Sequence, residues 1–200
     1  MGRSVIYSSW FVYRLAMRIL YGGDYRARLR RVCELIGEQD GRVLELCFGD
    51  IGIAKHCRQR GLSWVGLDIN EAFVAKAVRR GFEARQADLT AGDGLPACDV
   101  CVMMGSLYHF EPQLKELFAR IKGASRRFVL SEPVRNWTHA GGLRRQLALL
   151  MTRVGGREES FRFTEESLTQ TLERLKREVG FDYRVVSASR DLLVEVVWSS

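Results

Sequence analysis

Three acidic residues stand at the ends of short apolar runs: Glu45 in Val-Leu-Glu-Leu-Cys-Phe-Gly49, Asp68 in Gly-Leu-Asp-Ile, and Asp88 in Gln-Ala-Asp-Leu. The intervals between them, 23 and 20 residues, each fit one strand, one crossover helix and the turns between. In an open parallel sheet such strand ends line a single crevice, and ligands bind there. A carboxylate after the second strand suits a ribose diol, because an ionised acid accepts hydrogen bonds from two adjacent hydroxyls. An acid after the third can accept from an adenine amino group. Glu45 lies beside the glycine-bearing turn with Asp50 on its other side. Two negative charges there repel a pyrophosphate and favour a cation. The implied ligand is a nucleoside that carries a positive charge.

The elements that position these acids follow from periodicity. Leu29, Val32, Cys33 and Ile36 recur at helical spacing, so residues 24–38 read as an amphipathic helix before the first strand. Asn70 can cap a helix that runs to about residue 80 and stops at Gly81. Residues 113–122 form another, with Leu114, Leu117, Phe118 and Ile121 as its buried stripe. Thr164 and the two glutamates after it start a helix that reaches Val179 and stops at Gly180. Residues 182–188 and 192–198 then read as strands joined by a tight turn. A chain ending in a hairpin differs from a dinucleotide-binding dehydrogenase, which continues into a second βαβαβ half.

In this order and at this spacing, the segments resemble the motifs of the class I S-adenosylmethionine-dependent methyltransferases, over roughly residues 25 to 198. The runs around Glu45, Asp68 and Asp88 are similar to the first three motifs. The run from Cys98 to Phe110 is similar to the fourth strand and its loop, and Arg-Phe-Val-Leu-Ser-Glu132-Pro133 to the fifth strand. The resemblance implies an α/β fold: a Rossmann-like, doubly wound, seven-stranded sheet, mostly parallel with an antiparallel C-terminal hairpin strand, helices on both faces and an N-terminal helical lid. It implies one domain over residues 1–200. Residues 1–38 would hold the lid and first helix, 41–133 the cofactor half, 134–163 a lid insertion, and 164–200 the last helix and hairpin. The cofactor implied is S-adenosylmethionine. Glu45 would take the methionine ammonium, Gly49 would allow close backbone approach, and Asp68 with Ile69 would meet the ribose. Asp88 with Leu89 would surround adenine, and Met104 and Gly105 would border the methionine portion.

The first motif departs from the family's usual three glycines. Cys47 stands for the first, Ile51 for the third, and Gly52 is displaced by one position. Cysteine is small enough for a close-packed turn, whereas β-branched Ile51 resists a positive φ, so the turn is expected to differ locally. Asp50 is expected to cap the first crossover helix.

Methyl transfer from a sulfonium is an in-line displacement that asks the protein mainly to align a nucleophile and exclude water. A general base is needed only for an acceptor that is protonated at neutral pH. His109, after the fourth strand, is the best-placed base, with Tyr108 beside it; His56 and His139 are weaker candidates. Glu132 ends the fifth strand and either polarises an acceptor amine or shapes the pocket. Cys98-x-x-Cys101 has no second pair and reads as structural, so no metal site is expected. The five cysteines fall within helices, strands or the first turn, which suits a reducing, cytoplasmic compartment.

Charge is uneven. Residues 1–31 hold seven arginines against one acid and residues 134–160 hold five against two, so a total of +7 leaves the rest of the chain at −2. Charge of this kind steers anionic partners. Arg14 and Arg18 are the only charged residues between Trp10 and Leu20, on one helix face. That segment is too short and too charged to span a bilayer. Residues 8–20 read either as a helix closing the pocket or as an interfacial helix giving peripheral membrane contact. Three functions follow: methylation of a small, anionic or lipid-like acceptor; methylation of RNA; and non-catalytic binding by a degenerate fold. The chain lacks an Asn-Pro-Pro-Tyr-type run after the fourth strand, which argues against a base-flipping enzyme and a specific nucleic-acid partner. The sequence leaves the oligomeric state open.

Overall fold

The structure is a computed structural model in which residues 24–134 and 161–199 are described. The expected lid segments, residues 8–20 and most of 134–163, lie outside the described residues, as does His139. The first helix is α1 (Asp24–Glu34), followed by β1 (Arg42–Leu46), α2 (Gly52–Gln59), β2 (Ser63–Asp68), α3 (Glu71–Arg79) and β3 (Glu83–Gln86). A short 3-10 turn (Leu89–Ala91) leads to β4 (Cys98–Met104), a second 3-10 segment (Leu107–Gln113), α4 (Leu114–Ala124) and β5 (Ser125–Pro133). The described chain ends with α5 (Glu165–Leu175), a π turn (Lys176–Gly180), β6 (Phe181–Ala188) and β7 (Asp191–Trp198).

The seven strands form one sheet in the order β3-β2-β1-β4-β5-β7-β6. β1 to β5 pair in parallel, β7 lies antiparallel to β5, and β6 closes the hairpin on β7. The expected seven-stranded architecture is therefore present. Strand order reverses between β1 and β4, whose carboxyl ends diverge and leave a crevice for a ligand.

The central strands are apolar on both sides, as strands covered by helices on two faces must be. Val43, Val100, Val102 and Val129 pack with Val32, Ile53, Ala54 and Phe73 on the side covered by α1, α2 and α3. Their neighbours Leu44, Cys101, Met103 and Phe128 pack with Leu117, Phe118, Leu168 and Leu172 on the side covered by α4 and α5. Glu45 shares the parity of Val43 and so faces the first layer, which makes it a buried acid in an apolar stripe.

Local signals set most boundaries. The Asn70 side chain accepts from the Ala72 N–H, and Thr164 forms a reciprocal capping box with Ser167. Two ends differ from the sequence expectation. The helix expected over 24–38 stops at Glu34, where Leu35 and Ile36 tighten onto the carbonyls of Val32 and Cys33 and the Asp40 carboxylate takes the Gly37 N–H at 2.8 Å. The last helix leaves α geometry at Leu175 and ends in the π turn, whose Val179 and Gly180 carbonyls accept from Lys122 Nζ at 3.1 and 3.0 Å. Among the described residues no helix is long and apolar enough to cross a membrane.

Candidate active site

The turn after β1 is built around two positive φ angles, at Cys47 (53°) and Gly49 (52°). Ile51 adopts φ −91° and is buried at 3% exposure, so the turn differs locally as expected and spares this β-branched residue a positive φ. The left-handed conformation falls on Cys47, whose N–H donates to the Leu67 carbonyl at 2.7 Å and so prolongs the pairing with β2. The displaced Gly52 has a packing reason. A Cβ there would lie 2.7 Å from Leu29 Cδ2, so glycine lets the Leu29 side chain of α1 pack closely on the start of α2. Asp50 differs from expectation too. Ile51 is the N-cap residue and makes no side-chain cap bond, while Asp50 Oδ1 accepts from the adjacent Ile51 N–H at 2.7 Å.

Asp68 straps this turn in place. Its Oδ2 accepts from the Gly49 N–H at 3.1 Å and its Oδ1 from the Asn70 N–H at 2.8 Å. Burial pushes its carboxyl up to about 6 despite these two bonds. Glu45 is more deeply buried, with Oε2 accepting from Trp64 Nε1 at 2.9 Å. Burial, and to a lesser degree Asp50 and Asp68, hold it well above the usual carboxylate range against the Trp64 bond. Glu45, Cys47 and Asp50 form one wall of a recess that Met104 of β4 and Tyr25 and Arg28 of α1 complete. Tyr25 OH donates to Asp50 Oδ2 at 3.4 Å.

Of the expected cofactor set, the structure brings Glu45 and Met104 into this recess. Gly49, Asp68, Ile69, Asp88 and Leu89 continue along the strand ends toward β3. Ile69 is exposed, with its carbonyl held by Gln86 Nε2 at 3.1 Å. Asp88 caps the 3-10 turn, accepting on Oδ1 from Thr90 Oγ1 at 2.6 Å and Thr90 N at 2.9 Å, and the hydroxyl bond lowers its pKa. Leu89 is buried beside it.

The loop after β4 is tied down from three sides. Gly105, at φ 67°, donates to the Ser131 carbonyl at 2.7 Å, and the Ser106 hydroxyl bonds the Cys47 thiol, which burial keeps protonated. Glu132, 1% exposed, accepts the Leu107 N–H on Oε2 at 3.0 Å. Burial pushes Glu132 up to about 7, against that N–H and the charges of Arg28 and Arg162. The loop therefore presents Tyr108 and His109 from a fixed base, with their ring centroids 3.9 Å apart.

Two arginines at this site were not singled out in the sequence. Arg28 is 4% exposed, donates through Nε to Ser131 Oγ at 3.0 Å and through Nη2 to the Ser131 carbonyl at 2.7 Å, and pairs with Asp191 at 3.2 Å. A Cβ at Gly105 would lie 2.9 Å from its Nη2. Its signal was an arginine four residues before Val32, on the buried stripe of α1. Arg162 lies over the Tyr108 ring, 3.6 Å from the centroid, and no local sequence pattern marks it. His56, on α2, keeps Nε2 buried without a hydrogen-bond partner among the described residues.

No family model matches the chain, and no curated protein matches it in sequence. Solved structures do match. Human N-acetylserotonin methyltransferase, in complex with S-adenosylmethionine, is 16% identical with a TM-score of 0.66, the match covering 98% of this chain and 58% of that one. This chain therefore spans little more than half the human enzyme's length. Magnesium protoporphyrin IX methyltransferase from Synechocystis, with bound S-adenosylhomocysteine, is 17% identical over 92% of this chain and 93% of its own, with a TM-score of 0.62. The plantazolicin methyltransferase BamL, in complex with a triazolic desmethylPZN analogue and S-adenosylhomocysteine, is 12% identical over 98% of this chain and 96% of its own, with a TM-score of 0.68. With the strand order, the antiparallel hairpin and the crevice at the β1/β4 reversal, these matches show that the chain has the fold of the class I S-adenosylmethionine-dependent methyltransferases.

Proposed function

We propose that this chain is an S-adenosylmethionine-dependent methyltransferase for a small-molecule acceptor. The observation that carries this reading is Glu45, a buried acid on the wall of the recess at the sheet's switch point. A buried carboxyl in that position is poor for packing and good for a cation, because an arriving ammonium favours its ionised form.

The residues around it fit the cofactor. Asp68 spends two of its roughly four lone-pair directions on Gly49 and Asn70, which leaves two for a ribose diol. Gly49 supplies the close backbone approach, and Ile69, exposed beside Asp68, offers an apolar surface to the nucleoside. Asp88 and Leu89 belong to adenine, and Met104 and Gly105 border the methionine arm. S-adenosylmethionine supplies a methyl group on a sulfonium, whose displacement leaves a neutral thioether. The chain's part is alignment and proton management. His109 takes the proton of an acceptor that carries one, and the ties at Gly105, Ser106 and Leu107 hold Tyr108 and His109 still.

Titration of the purified chain with S-adenosylhomocysteine by calorimetry, with NAD as control, tests this reading. Micromolar binding of S-adenosylhomocysteine alone is expected. A folded chain that binds neither compound would sink the proposal.

A further inference from the structure

We propose that Arg162, stacked on Tyr108, is the anion-recognising group of the acceptor site, and that the acceptor is a planar molecule carrying an oxyanion, a carboxylate or a phosphate. This rests on the methyltransferase reading above and adds the acceptor's chemical class to it.

The geometry of Arg162 sets what it can bind. Its guanidinium face is taken by the Tyr108 ring at 3.6 Å, and Nη1 donates to the Phe161 carbonyl at 2.8 Å. Among the described residues Arg162 makes no ion pair with a carboxylate within 4 Å. The glutamates that follow at the start of α5, Glu165 and Glu166, are exposed and do not pair with it. The cation thus presents an edge, carrying Nε and Nη2, with its face already stacked. A guanidinium edge is a fork of parallel N–H donors, and its match is an oxyanion that accepts two of them.

Its position relates that edge to the reacting loop. The Tyr108 ring is tilted at 39° against that of His109, 3.9 Å between centroids, so the cation sits one ring away from the proposed base. Its charge also reaches the buried Glu132, which places Arg162 in the same field as the loop that Glu132 holds. Beside it, Phe161 is 41% exposed and meets Phe163 edge to face at 4.9 Å. Phe163 is itself buried, so Phe161 is an anchored apolar ring next to a cation that, among the described residues, has no carboxylate within 4 Å. Together they suit a flat apolar body with an anionic group at its rim.

The experiment compares three probes of one shape, 1-naphthoate, 1-naphthyl phosphate and neutral 1-naphthamide. Each is titrated by calorimetry into the full chain, into Arg162→Gln and into Arg162→Lys, with and without saturating S-adenosylhomocysteine. At least one anion is expected to bind roughly tenfold or more tightly than the amide, with the preference lost in Arg162→Gln and partly kept in Arg162→Lys. Preference for naphthoate identifies a carboxylate acceptor, and preference for naphthyl phosphate a phosphate. Equal binding of all three, no binding of either anion, or an anion preference that survives in Arg162→Gln would overturn the proposal. Thermal midpoints of both variants confirm folding. The two readings fail separately. An Arg162-dependent anion preference in a chain that does not bind S-adenosylhomocysteine removes the cofactor, while S-adenosylhomocysteine binding with indifferent probes removes only the anion site.

Discussion

The two ends of β5 handle buried charge in opposite ways. At the amino end Arg127 is fully answered: Nε donates to Asp40 Oδ1 at 3.1 Å, Nη2 to the second Asp40 oxygen and to the Leu35 carbonyl, and Nη1 to Glu195 at 2.7 Å. Arg184 completes Glu195 from the neighbouring strand at 2.6 Å. At the carboxyl end, Glu45, Asp68, Glu132 and Asp191 are buried with Arg28 as the buried cation among them. Asp191 even keeps Oδ1 buried without a hydrogen-bond partner. One end joins the α1–β1 connection to β5 and β7. Among the described residues the other buries more acids than cations, a difference that protons or a cationic ligand can balance. Surplus buried acid lowers stability, and a binding site tolerates it because the ligand returns the difference.

Removing charge should therefore have opposite signs at the two ends. Arg127→Met leaves Asp40 buried and unpaired, and is expected to lower unfolding stability by about 3–5 kcal/mol in a urea titration. A loss under about 1 kcal/mol would place this cluster among ordinary surface pairs. At the other end, Glu132→Gln should stabilise. The folded carboxyl sits at about 7, above its ordinary value of 4.5, so Glu132 contributes stability that is full below about 4.5 and is lost as pH rises toward 7. The glutamine variant keeps an acceptor for Leu107 N–H and loses the ionisation. It is expected to exceed the parent by roughly 2–3 kcal/mol at pH 8 and to match it near pH 4.5. A parallel pH dependence in parent and variant would remove Glu132 as the source.

The ligand should close the gap between the two ends. Asp68→Ala is expected to weaken S-adenosylhomocysteine by about 1.5–3 kcal/mol, the range for hydrogen bonds to a charged group, and Arg127→Met to leave it unchanged in folded protein. Unaltered affinity in the Asp68 variant would end its ribose assignment. The smallest effect is on pH. Below about 6 Asp68 holds its proton, and burial shifts Glu45 upward as well, so at low pH an ammonium meets less negative charge. Affinity for S-adenosylhomocysteine should fall on going from pH 7 to 5, by at most about tenfold per unit for each proton displaced. Affinity that rises toward low pH would contradict a site built for a cation.

Much of this molecule was legible in local spacing. The acids at strand ends, Asn70 and Thr164 as caps, Gly81 and Gly180 as stops and the terminal hairpin are each set by residues within a few positions of one another, and all are present. The order of the acids along the chain also placed the crevice, because strand order in a doubly wound sheet follows from alternation of strand and helix. The first turn was legible only in part: β-branched Ile51 signalled that it differs from the three-glycine pattern, but only the fold showed that the left-handed residue is Cys47, whose N–H pairs with Leu67. Tertiary structure decided the rest. Arg28 meets Ser131 across 103 residues, Arg162 reaches Tyr108 from beyond β5, and the pKa of Glu132 is set by burial and by arginines on other elements. A sequence states which groups carry charge, but whether that charge is solvated, paired or held as a proton depends on what the folded chain packs against it.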